Sequence, residues 1–157
     1  MTGQGFGAAK LFMSANRFIE AYHTVLGPIC KRTGLPPMAV DILMFIANNP
    51  SSGTAAEICK CRGLKPGIVS VHIDRLVEKG LLTRGNVPGD RRKTLLTCTG
   101  AASDVIEEGR MIQRLFARSL TVGLTDADLC AFRRCLAAIG DNINEICRNG
   151  LRAEEEK

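Results

Sequence analysis

Seven cysteines, two histidines and a run of lysines and arginines are the side chains with the means to do chemistry. Cys59 and Cys61 stand two apart, which is not a usual zinc-ligand spacing, and Cys130, Cys135 and Cys147 fall within one predicted helix. With only His23 and His72 to complete a tetrahedral set, no metal site assembles from spacing. An odd count also argues against a disulfide framework. Most of the thiols are therefore expected to behave as small buried hydrophobes. No glycine-rich phosphate loop follows a strand and no Ser-His-Asp set is present, so neither an enzyme nor a cofactor is expected.

The charge is more informative. The chain of 157 residues carries a formal +5, with 45% hydrophobic and 24% charged residues, the balance of a globular protein. Between Lys60 and Lys93 stand Lys60, Arg62, Lys65, Arg75, Lys79, Arg84, Arg91, Arg92 and Lys93 against Asp74, Glu78 and Asp90, a net of +6 in that window. Such a run is either a solvated face or a surface for an acidic partner. Met1 to Lys10 has no basic start followed by an apolar run, and no stretch reaches the roughly 18 apolar residues a membrane helix needs. A cytoplasmic protein without membrane contact is expected.

The elements that must position these charges follow from apolar spacing and punctuation. Phe12, Ile19, Leu26 and Ile29 recur at helical spacing and predict a first helix from Ala8 to Lys31, closed by Gly34. Pro36-Pro37 opens a second, Met38 to Ala47. Thr54 and Glu57 form a capping box for a third, Ala55 to Cys61. After Gly63, Lys65-Pro66 opens a fourth, carrying Val69, Ile73, Leu76 and Val77 on one face and ending at Lys79-Gly80. Leu81–Gly85 and Lys93–Cys98 read as strands, with a turn at Pro88-Gly89. Thr99 is expected to cap a fifth helix to Leu120, and Thr125, with Asp128 three residues on, a sixth to Asn149. In that last helix Leu129, Phe132, Leu136, Ile139, Ile143 and Ile146 alternate spacings of three and four, the pattern of a coiled-coil seam.

Helix, tight turn, helix, then a hairpin with a basic tip is the order of a winged helix-turn-helix. The second helix enters the major groove and the hairpin reaches phosphates or the minor groove. The fold class expected is mainly α with a small β-hairpin wing. One domain over 1–157 would carry N- and C-terminal dimerisation helices (8–33 and 99–150) around a DNA-binding lobe (36–98). Phe12 and Ile19 join the seam residues as dimerisation candidates.

The run Gly63-Leu-Lys-Pro-Gly-Ile-Val-Ser-Val-His-Ile-Asp-Arg-Leu-Val-Glu-Lys-Gly-Leu-Leu82, with Asp90-Arg91-Arg92 and Thr97-Cys-Thr99 after it, resembles the multiple-antibiotic-resistance regulator (MarR) family. The resemblance implies a homodimer that represses promoters at a pseudo-palindromic double-stranded operator. Release would follow binding of a small lipophilic or phenolic ligand, or cysteine oxidation. It places Lys65, Gly67, Ile68, Ser70 and Val71 on the early turns of the recognition helix, with Arg75 one turn on, facing a phosphate or an internal partner such as Glu78. Thr54, heading the preceding helix, is counted in the same DNA-binding set. In the wing, Arg92 takes the minor-groove position, oriented by Asp90, with Arg91 and Lys93 adding phosphate attraction. Two positions depart from the family. Val71 stands where Arg or Lys is frequent, and could touch a thymine methyl. Gly67 lowers helix propensity by up to about 1 kcal/mol relative to Ala.

The signal input is expected around Phe18, Tyr22, Ile29 and Phe45, which also read simply as core. The alternative is a thiol switch. The family's peroxide sensors place their cysteine near the start of the first helix, where this chain has none. Cys30, Cys59 and Cys61 are the candidates, with Lys31, Lys60 and Arg62 close enough to favour a thiolate. His72 is expected to pack in the recognition helix near the wing. A rival of another class is a protein-interaction module whose basic face binds an acidic protein.

Overall fold

The computed structural model describes residues 8–87 and 90–151, without the side chains of 8, 9, 11, 12, 87 and 90–93. Pro88-Gly89, Met1–Gly7 and the acidic Glu154–Glu156 lie outside the described residues. The chain forms two compact units, one reaching to Phe116 and one running from Ala117.

Apolar spacing made the first helix continuous to Lys31; it is in fact two. Helix α1 (Ala8–Val25) stops before Gly27-Pro28, and α2 (Gly27–Thr33) restarts with Pro28 in its first turn. Proline has no amide hydrogen for the carbonyl four residues back, so the ladder is interrupted although Leu26 and Ile29 stay on the buried side. Gly34 then takes the left-handed conformation, φ 67°, and its amide closes on the Cys30 carbonyl. That geometry ends a helix and favours glycine.

Helix α3 (Pro37–Asn48) is the hub, with every residue from Ala39 to Ile46 buried. A helix apolar all round is one enclosed by its neighbours. Around it lie α1 and α2, α4 (Ala55–Arg62), α5 (Pro66–Glu78) and the base of the hairpin β1 (Leu82–Val87) and β2 (Asp90–Cys98). The hairpin is antiparallel, running from Leu82 opposite Cys98 to Val87 opposite Asp90, longer at its tip than alternation alone indicated.

Thr99 does not cap the following helix. Its hydroxyl donates to the Gly80 carbonyl at 2.6 Å and its amide to the Leu81 carbonyl at 3.0 Å, tying the exit of β2 to the entry of β1. A 3₁₀ turn, Gly100–Ala102, intervenes before α6 (Ser103–Leu120). Arg32 pairs with Glu108 between α2 and α6. A polar chain also ties α1, α3 and α6. Gln113 donates to the Tyr22 hydroxyl at 2.8 Å, Asn48 donates to Gln113 at 3.0 Å, and Arg110 donates to the Ala47 carbonyl at 3.2 Å.

The second unit holds α7 (Asp126–Asn149). Thr125 caps it as expected: its side chain accepts from the Asp128 amide while the Asp128 carboxylate accepts from the Thr125 amide at 2.9 Å. No residue of α7 is fully buried.

Candidate nucleic-acid interface

The helix-turn-helix is built by two stops and two starts. Thr54 opens α4 with a full capping box, its hydroxyl donating to the Glu57 carboxylate at 2.8 Å and accepting the Glu57 amide. That hydroxyl is thus committed to the helix start, a limit on the DNA role considered for it. Gly63, at φ 62°, ends α4 in the left-handed region, and Leu64 is half-buried beneath the turn. Pro66 supplies the first residue of α5, where a missing amide costs nothing.

Val69, Ile73 and Leu76 form the inner face of α5, all in the core. Turned outward are Gly67, Ile68, Ser70, Val71, Asp74 and Arg75, all exposed, with Lys65 exposed at the N-cap. The structure therefore brings Lys65, Gly67, Ile68, Ser70, Val71 and Arg75 to one surface. Arg75 makes no ion pair with Glu78; the acid engaged on this helix is Asp74, paired with Arg84 of β1. His72 is half-buried, and burial, followed by the nearby Arg75 charge, lowers its pKa from the ordinary histidine value.

Two cations in the basic run are thus already used. Arg84 holds Asp74, and Arg62 reaches the buried Asp41 carboxylate at 3.0 Å while its guanidinium lies 5.2 Å from the Phe45 ring centre. Charge spacing missed both pairs. The signal available was Asp41 itself, a lone carboxylate inside an apolar helix that demands a cation.

The hairpin is fixed to the lobe at its base. The Leu96 amide donates to the Gly53 carbonyl at 2.8 Å, and Thr54 bridges Leu95, so the segment entering α4 lies along β2. Asp90, Arg91, Arg92 and Lys93 belong to the backbone of β2, and their side chains lie outside the described residues.

The four residues considered for a ligand are divided. Ile29 and Phe45 are core, whereas Phe18 and Tyr22 set their rings 5.3 Å and 5.6 Å from that of Phe116. Burial raises the Tyr22 pKa. A cleft of about 380 Å³ opens elsewhere, between Ile46 of α3, Leu96 and Cys98 of β2, and Ile106 and Arg110 of α6.

The expectation that most thiols are buried is wrong. Cys61, Cys130, Cys135 and Cys147 are exposed, whereas Cys30, Cys59 and Cys98 are half-buried against the edge of the core. Burial raises the Cys30 pKa, the direction opposite to the one Lys31 was expected to impose, so its thiolate is disfavoured. Among the described residues no three His, Cys, Asp or Glu side chains are grouped to hold a metal, and no helix is long and apolar enough to cross a membrane.

Of the dimerisation candidates, Ile19, Phe132, Leu136, Ile143 and Ile146 are exposed, Leu129 and Ile139 half-buried, and the Phe12 side chain lies outside the described residues.

No curated protein sequence matches the chain. Residues 33–93 match the model of the MarR family. Among solved structures, apo wild-type MarR from E. coli is 20% identical with a TM-score of 0.62, covering 85% of this chain and 96% of that one. The S. aureus MepR–DNA complex is 16% identical with a TM-score of 0.70, covering 89% and 99%. A putative MarR family transcriptional regulator from Listeria monocytogenes, complexed with 26mer DNA, is 14% identical with a TM-score of 0.74, covering 90% and 97%. Residues 33–93 of this chain are thus similar to the MarR family, and the chain as a whole shares the winged helix-turn-helix fold of these structures.

Proposed function

We propose that this protein is a homodimeric transcriptional regulator of the cytoplasm, not an enzyme, which binds a pseudo-palindromic operator as a repressor and leaves it when a small ligand binds. The observation that carries the reading is the outer face of α5. It is a helix seated by its inner residues on the core, free along its N-terminal half, in a segment that matches the MarR family. A helix so presented fits the major groove. Lys65 and Ser70 are its candidate phosphate or base contacts, and Arg91, Arg92 and Lys93 those of the wing. The MepR and Listeria structures of similar fold were determined with DNA. The thiol-switch alternative loses support at Cys30, where burial favours the thiol.

The experiment is binding of the purified protein to the DNA upstream of its own gene and to scrambled DNA, at 50 and 200 mM salt. Tight, selective binding that falls steeply with salt is expected, because each neutralised phosphate releases counterions. Arg92→Ala and Lys65→Ala should each weaken it about tenfold, and Lys65→Ala should flatten the salt slope by about one per half-site. Weak binding to every sequence, including those recovered from a random library, would reject the reading and leave the basic face to a protein partner.

A further inference from the structure

We propose that α5 reads its operator chiefly through thymine methyl groups, by Ile68 and Val71; the proposal rests on the DNA-binding reading above. These two β-branched side chains stand three residues apart on the outer face, 46% and 61% exposed, in the first two turns of the helix. Among the described residues nothing covers this apolar surface, which lies in the part of a recognition helix nearest the bases. The neighbouring positions narrow the chemistry further. Pro66 and Gly67 have no polar side chain, and open space surrounds the point where a Gly67 Cβ would stand. Val69 is buried. Ser70 is therefore the one hydrogen-bonding side chain between Pro66 and Val71.

Guanine is read in the major groove by Arg or Lys on O6 and N7, and adenine by Asn or Gln on N6 and N7, all long polar side chains. None occupies these turns; Lys65 stands before them and Arg75 a turn beyond. Thymine alone offers an apolar group in that groove, its C5 methyl. Covering it with Ile68 or Val71 removes two apolar surfaces from water and leaves no polar group unpaired. Gly67, without a side chain, lets the helix approach closely enough for such contact. Lys65 and Ser70 on the same stretch then orient the helix rather than choose the base.

The test begins with the operator selected by the wild-type protein from a random library. Each thymine is replaced in turn by deoxyuridine, which deletes the methyl group and keeps every hydrogen-bonding atom. Affinity is measured at fixed salt. At one or two thymines per half-site the loss should be about fourfold, the effect of one buried methyl, and about fifteenfold when symmetric positions in both half-sites are changed together. In Val71→Ala or Ile68→Ala the same replacement should cost little, the mark of a coupled pair. Both side chains are exposed, so circular dichroism of the variants should match the wild type. An operator that is still preferred over scrambled DNA but tolerates uracil at every position would overturn this inference and leave the regulator reading intact. So would methyl discrimination that persists in both variants. If no sequence is preferred at all, the regulator reading itself fails and takes the inference with it.

Discussion

The carboxylate of Asp41 lies in the core of the winged helix-turn-helix lobe, and its partner Arg62 comes from the last turn of the next helix, 21 residues on. The pair is enclosed on one side only, since Arg62 keeps about a third of its side chain in solvent. Removing the arginine strands a buried charge and also uncovers the face of Phe45, so Arg62→Ala should cost about 1–3 kcal/mol, below the value for a fully buried pair. Asp41→Asn, which leaves no charge to strand, should cost less; equal losses in urea denaturation would show that packing and not charge governs the site. His72 sets a pH dependence of definite sign. Its folded pKa lies below the ordinary value near 6.5, so between the two the unfolded chain binds a proton the folded chain refuses. Stability is fully present above about 6.5 and is lost as the pH falls through the folded value. The urea midpoint of the wild type should therefore fall more between pH 7.5 and 5 than that of His72→Gln, and parallel curves would remove the histidine from the account.

Among the elements, the wing depends on a contact that local pattern does not announce. Gly53 presents its carbonyl to the Leu96 amide, and a Cβ there would stand 2.7 Å from the Leu96 carbonyl oxygen, a backbone atom that no rotamer change moves. Gly53→Ala should push β2 off the lobe, costing about 1–3 kcal/mol as overpacking does. It should also weaken operator binding beyond its effect on folding, because the wing is re-aimed. A variant that loses stability but binds normally at saturating folded protein would show that the tip is positioned independently. The capping boxes at Thr54 and Thr125 and the stop at Gly63 were legible in sequence, because each is decided within four residues. So was the inner face of α5, since Val69, Ile73 and Leu76 repeat at helical spacing. The break at Gly27-Pro28 was hidden by apolar spacing that continues through it. The role of Thr99 was hidden by a long-range partner, the Gly80 carbonyl. Long range also concealed which cations are spent, for nothing in the basic run itself sets Arg62 and Arg84 apart; only their contacts with Asp41 and Asp74 do.

At the scale of the whole molecule, the open question is what covers α7. Phe132, Leu136, Ile143 and Ile146 leave about half of each side chain in water, along one stripe of a helix whose start is firmly capped. Repeated at three and four, that stripe suits a second helix packed along it. In the proposed regulator the partner is a second copy, which also accounts for the affinity expected at an operator of two half-sites. Once one recognition helix is seated, the other is held at high effective concentration over its own half-site. Placing charge in the stripe, as Leu136→Glu with Ile143→Glu, should convert the protein to monomer in sedimentation analysis without loss of the lobe that reaches to Phe116. The monomer should bind a full operator no better than a single half-site, 10²-fold or more below the wild type, and with about half the salt slope because half the phosphates are contacted. Retained dimer in the double variant would put the interface elsewhere. A wild type that sediments as monomer yet binds the operator tightly would detach DNA recognition from dimerisation altogether, and the apolar stripe would then belong to a different partner.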